Sequence, residues 1–279
     1  MTSAMTDRIV ERDGVRLAVA EAGEGIPVML LHGLTATRRY VVMGSRALER
    51  GGHRVVAYDA RGHGQSSRAR SPEAYGYDDL ALDLHAVMDA CGVERAVLAG
   101  ASMGAHTLLR FALDAPERVA GVLVVTPAFD PDAPRDYARW DALAAGLRTG
   151  GVEGFVEAYR VDDEVPEAWR DTVRLVLRQR MAQHADPGAL ADALHATPRS
   201  QPYDSLAELG ALNVPAVVVA SRDEADPGHP LAVGEAYAAA IPGARLLVEP
   251  AGRSPLAWQG GQLSRVIAEL AAESREPQG

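Results

Sequence analysis

Six short, continuous apolar runs, spaced by longer segments of helical character, constrain this fold more than any other feature; they lie at residues 28–31, 55–58, 96–99, 119–125, 214–220 and 244–248. Runs of this length without polar alternation suit strands buried on both faces. Amphipathic stretches such as residues 78–88 and 263–270 provide covering helices. Their alternation with the runs predicts right-handed crossovers and a mainly parallel sheet flanked by helices. Ahead of the first run, residues 8–11 and 15–20 alternate in character around Asp13-Gly14, which predicts a hairpin.

At 279 residues the chain is long for one minimal domain and short for two, so a single large core with an insertion is expected. The insertion is visible in the pattern. Between residues 133 and 211 the strand rhythm stops and only helical patterns occur, at 137–147, 152–159, 166–183 and 189–194. We therefore expect a core of residues 1–132 and 212–279 and a helical cap over 133–211, roofing a pocket at the carboxyl ends of the strands.

Composition excludes several function classes. With 47% hydrophobic and 24% charged residues the chain buries a sizeable core, unlike a disordered sequence. A formal net charge of -10 argues against nucleic acid as a partner. All 28 basic residues are arginine, which removes lysine Schiff bases, the P-loop lysine and Ser-Lys dyads. The single cysteine, Cys91, forms no internal disulfide, and residues 1–14 contain no apolar run of signal-peptide length, so the expected location is the cytoplasm. No run reaches the roughly 18 apolar residues of a membrane span. No cluster has metal-ligand spacing and no glycine loop has dinucleotide form, so neither metal nor cofactor is expected.

The chemistry is concentrated at Gly100-Ala101-Ser102-Met103-Gly104, which directly follows the run 96–99 and opens a helical segment. A serine on so sharp a strand-to-helix turn takes a strained backbone, which lifts its hydroxyl above the sheet and aims the helix N-terminal amides at a developing oxyanion. Two further turns follow strands: Leu31-His32-Gly33-Leu34-Thr35, and the segment from Tyr58 through Asp59, Arg61 and His63 to Ser66.

With these residues in place the chain resembles the α/β-hydrolase superfamily from about Asp7 to Leu270. The resemblance implies an eight-stranded, mostly parallel sheet with the second strand antiparallel and a helical cap after the sixth. It puts Ser102 on the nucleophile position and the N–H groups of Leu34 and Met103 on the oxyanion positions. The acid belongs after the run 214–220, where Asp226 competes with Asp223 and Glu224; Asp226 fits the family's Asp-Pro-x-x-Pro spelling best.

At the family's histidine position this chain departs, reading Ala251-Gly252-Arg253-Ser254-Pro255-Leu256. A guanidinium stays protonated and accepts no proton, so Arg253 is no general base. Three readings follow. In the first, the chain is a hydrolase of an ester, lactone or similar acyl bond with another histidine as base. His229 is nearest by sequence; His184 and His195 are otherwise solvated helix residues, His32 and His63 turn residues bonded to backbone, and His106 a packed residue. In the second, the scaffold performs cyclisation, elimination or rearrangement of a small metabolite, with Arg253 binding an anion. In the third, the protein is a silent binder with Arg253 paired to Asp226. Candidate substrate contacts are His32, Gly33 and His229, together with Tyr137, Trp140, Tyr159, Trp169 and Trp258, aromatics that equally read as packing. If these rings line the pocket, the ligand is a small apolar molecule.

Overall fold

The structure, a computed structural model, describes residues 5–222, 225–250 and 258–274. Strands β1 (Thr6–Arg12) and β2 (Val15–Ala22) form the expected hairpin. Asp13 and Gly14 take φ of 49° and 73°, the mirror-image turn that matches strand twist. There follow β3 (Ile26–Leu31), helix α1 (Ala47–Arg50), β4 (His53–Tyr58), α2 (Tyr77–Ala90), β5 (Ala96–Ala101), α3 (Met103–Asp114) and β6 (Val119–Val125).

The chain then runs through α4 (Tyr137–Ala158), α5 (Val161–Glu164), α6 (Arg170–Met181) and α7 (Pro187–Ala196), with no strand among them. It returns to the sheet with β7 (Ala216–Ala220), α8 (Leu231–Ala240), β8 (Arg245–Val248) and α9 (Gly260–Glu273). The expected eight-stranded sheet is present in the order β1-β2-β4-β3-β5-β6-β7-β8. Among the described residues β2 runs antiparallel to both its neighbours, β1 and β4, and every other strand pair is parallel.

One apolar layer packs residues such as Leu84 of α2, Leu108 of α3 and Tyr237 of α8 against the sheet. The other packs Leu48 of α1 with Leu263, Ile267 and Leu270 of α9. Every residue of β6 is buried, as a central parallel strand requires. β8 departs from that expectation: Arg245 and Leu246 are exposed, because this strand pairs on one side only. α4 breaks at Gly151, at φ 59° and ψ -141°, so its two limbs match the two helices expected there. A Cβ on Gly146 would stand 2.4 Å from the Gly154 carbonyl oxygen, so the limbs meet backbone to backbone.

The loop after β4 is tied to α2 by an ion pair out of solvent. Arg61 donates to both carboxylate oxygens of Asp83, at 2.7 and 2.8 Å. No helix among the described residues is long and apolar enough to cross a membrane.

Candidate active site

Ser102 stands between β5 and α3 with φ 49° and ψ -113°, a left-handed backbone that a serine rarely adopts. Two glycines make the turn possible. A Cβ on Gly100 would lie 2.4 Å from the Gly104 carbonyl, and one on Gly104 would lie 2.2 Å from the Leu31 carbonyl oxygen. The Ser102 N–H donates to the Val125 carbonyl at 3.0 Å, and its own carbonyl accepts from His106 N–H at 3.1 Å. The conformation is therefore held from both sides.

The loop after β3 abuts this turn, since a Cβ on Gly33 would lie 3.5 Å from the Ser102 Cβ. Ser102, Leu34 and Met103 share the wall of a cavity of about 210 Å³. Among the described residues, the N–H groups of Leu34 and Met103 meet no acceptor.

Buried histidines fix the loop. The Nε2 of His32 accepts the Ala60 N–H at 2.9 Å, and its Nδ1–H donates to the Gly33 carbonyl at 2.8 Å. The ring nitrogens of His63 face the Arg61 and Leu34 carbonyl oxygens at 2.9 and 2.6 Å. His184 accepts the Gly64 N–H through Nδ1 at 3.0 Å and donates from Nε2 toward the Thr35 carbonyl at 3.3 Å. Burial, then the neighbouring His63, lowers His32 to about 4 and His184 to about 3. His184 is thus no solvated helix residue: its segment docks onto the turn at Gly64, where the Ala185 N–H donates to the Gly64 carbonyl.

His106, one turn along α3 from Ser102, is equally committed. Its Nε2 accepts the N–H groups of Ala128 and Phe129 at 3.1 Å each, and its Nδ1–H donates to the Tyr77 hydroxyl at 3.0 Å. Burial, with a contribution from His229, lowers it to about 3. His53 donates from Nδ1–H to the Leu48 carbonyl at the opposite end of β4, His85 packs on Phe111, and His195 pairs with Asp141 on an exposed surface. His229, like His195, sets Nδ1 against a carboxylate, but it is less exposed than His195. It lies past β7 with Nδ1 at 2.8 Å from both carboxylate oxygens of Asp226, and its Nε2 has no partner among the described residues. Burial works to raise the Asp226 carboxyl, but His229, Arg180 and Arg139 outweigh it and hold the group below the ordinary carboxylate range.

Of the expected substrate contacts, Tyr137 and Trp140 line the cavity with Ser102; His32, Gly33, Tyr159, Trp169, His229 and Trp258 do not. Tyr159 packs on Phe155 beneath Arg139, Trp169 rests on the core, and Trp258 donates to the Ala220 carbonyl at 3.1 Å. Arg253, Asp223 and Glu224 lie outside the described residues. The cavity also contains residues that sequence reasoning missed, Tyr77, Phe129 and Arg135. Phe129 and Arg135 sit in an irregular, proline-interrupted loop with no periodicity to mark them. No group of three or more His, Cys, Asp or Glu residues among those described has a metal-binding arrangement.

The family model of the alpha/beta hydrolase fold matches residues 26–259. RutD of Variovorax paradoxus, whose name assigns it to carbamate hydrolysis, is 33% identical over 213 residues, covering 72% of this chain and 75% of that protein. Among solved structures, a thermophilic esterase from Thermogutta terrifontis superposes with a TM-score of 0.79 at 26% identity, over 97% of this chain and 100% of that one. Est816, described as an N-acyl homoserine lactone degrading enzyme, superposes with a TM-score of 0.70 at 25% identity, over 96% and 99%.

Proposed function

The chain belongs to the alpha/beta hydrolase fold family, and from that premise we propose that it hydrolyses a small ester or lactone through Ser102, with His229 as the base and Asp226 as its carboxylate. The observation that carries the reading is the Asp226–His229 pair, a carboxylate on Nδ1 with Nε2 left available, while His32, His63, His106 and His184 have both ring nitrogens engaged and the similarly paired His195 lies on an exposed surface. Similarity to an esterase and to a lactone-degrading enzyme supports the substrate class. In this reading the helical segment over residues 133–211 is a cap on a core of residues 1–132 and 212–279, and the unpartnered amides of Leu34 and Met103 form the oxyanion hole.

The Ser102 Oγ attacks the acyl carbon as its proton passes to His229 Nε2, and the carbonyl oxygen becomes an anion held by the two N–H groups. Collapse expels the alcohol, which takes the proton from the imidazolium. Water then adds to the acyl-serine, giving its proton to the same nitrogen, and the acid leaves as Ser102 is restored. Asp226 holds the Nδ1–H tautomer and stabilises the imidazolium. Arg253, charged throughout, takes no part in proton transfer.

The test is labelling by a fluorophosphonate together with turnover of 4-nitrophenyl acetate. The reading requires one label, on Ser102, with both label and turnover lost in Ser102→Ala at unchanged melting temperature. Wild-type protein that neither labels nor turns over, with activity appearing in Arg253→His, would instead identify a scaffold redirected to non-hydrolytic chemistry or one that is silent.

A further inference from the structure

Arg135 lies in the loop between β6 and α4 and lines the same cavity as Ser102. Its guanidinium packs 4.8 Å from the centroid of the Phe129 ring. One of its terminal nitrogens reaches the Pro198 and Ser200 carbonyls only at 3.5 Å each. The other, Nη2, is buried and has no hydrogen-bond partner among the described residues. The two carboxylates on the same cavity wall are turned to backbone instead, Asp130 accepting from Asp132 N–H and Asp136 from Arg139 N–H.

A guanidinium cannot shed its charge on burial, and an N–H removed from water without an acceptor is costly. The arrangement is completed by an anion that brings acceptor oxygens, and the planar fork of arginine suits a carboxylate. The Phe129 ring face fixes the plane of that fork. The remaining wall is largely apolar and aromatic, with Trp140 and Tyr137, and a cavity of about 210 Å³ lies below the ~300–1,000 Å³ of sites for drug-sized ligands.

We infer that Arg135 anchors a substrate carboxylate, so that the preferred substrates are small esters or lactones that carry a free carboxylate beside the reacting acyl group. The inference rests on the hydrolase reading for its chemistry, though not for its binding contact. It replaces a wholly apolar ligand with an amphipathic one: the aromatic wall packs its carbon skeleton and the arginine sets its orientation relative to Ser102.

The experiment compares mono-4-nitrophenyl succinate with its neutral methyl ester, in wild type and Arg135→Gln. The expected result is a wild-type preference for the anionic ester in kcat/KM, and a fall of about 10–100-fold in that preference in the variant, the range for losing a charge-assisted hydrogen bond. Arg135→Lys, which keeps the charge without the fork, should retain part of the preference, and melting curves check that both variants fold. Succinate binding, followed by saturation-transfer NMR, is measured in parallel and should weaken by a similar factor in Arg135→Gln. An unchanged ester preference with unchanged succinate affinity overturns the inference while leaving the hydrolase reading intact. Absence of turnover on either ester, with succinate binding still dependent on Arg135, overturns the hydrolase reading and leaves the anion site standing.

Discussion

The part of the cavity wall that carries Ser102, Leu34 and Met103, with Ala128 and Phe129, is held by backbone conformation and by buried hydrogen bonds to histidine rings, whereas the part from Asp130 to Trp140 is an irregular loop running into α4. On the first wall, glycines at 100 and 104 fit against carbonyl oxygens, and His32, His63 and His184 pin the adjoining loops. On the second, Tyr137 is 37% exposed and Arg135 keeps an unpartnered nitrogen. The difference assigns separate tasks: the rigid wall positions reacting atoms to within fractions of an ångström, and the looser wall selects what is brought to them. Changes in the first should act on kcat and on stability, and changes in the second on KM.

The largest effect that sharpens this contrast concerns two histidines, His229 as the proposed base and His106, which lines the cavity with Ser102. His229→Gln removes the base, and kcat should fall by about 10³–10⁶ with little change in melting temperature, by comparison with loss of a triad histidine in subtilisin. His106→Gln should behave in the opposite sense, with a lowered melting temperature and a smaller loss of kcat, because His106 serves Ala128, Phe129 and Tyr77 rather than the reacting atoms. Stopped assays and melting curves on both variants decide it. Equal damage to kcat from both, with equal destabilisation, would remove the distinction between base and brace.

The two walls were also unequally legible in the amino-acid sequence. The turn at Ser102 was readable because only small residues tolerate its contacts, so backbone geometry leaves a mark at Gly100 and Gly104. The sheet was readable for a similar reason, since strands buried on both faces need continuous apolar runs, and β8, the one expected strand that is less buried than its run suggests, lies at an edge of the sheet. Arg135 and Phe129 left no mark because irregular loops have no period. His184 was misjudged because its burial comes from Gly64, 120 residues earlier in the chain, and local pattern carries no record of a contact that distant. The Asp226–His229 spacing was visible, and what required coordinates was the engagement of the nitrogens of His32, His63, His106 and His184.

A second effect tests how the rigid wall is held. His32, His106 and His184 are neutral in the fold, with values lowered from 6.5 to about 4, 3 and 3. As pH falls through about 6.5 the unfolded chain binds protons that the folded chain refuses, so stability is full above that value and declines down toward the folded values. Each such histidine contributes a slope of up to about 1.4 kcal/mol per pH unit. Urea unfolding midpoints at pH 8, 6.5 and 5 should be flat over the first interval and fall over the second, and His184→Gln should reduce the fall. A midpoint independent of pH over the second interval would mean that these rings titrate freely in the fold.

The smallest effect belongs to the looser wall. Trp140 is half-buried on the first limb of α4 and faces the cavity without a hydrogen bond to Ser102 or to the loop at Leu34. Trp140→Ala removes apolar contact with the substrate before and during reaction alike, which is uniform binding, so it should raise KM with little change in kcat. Loss of part of one aromatic contact corresponds to a factor of about 3–10 in KM, since about 1.4 kcal/mol is tenfold. Steady-state kinetics on a neutral and a carboxylate-bearing ester give the decisive comparison. KM should rise for both by the same factor, in contrast to the selective loss expected at Arg135. A fall in kcat instead would place Trp140 among the groups that set the geometry at Ser102, and the division of labour between the walls would have to be redrawn around it.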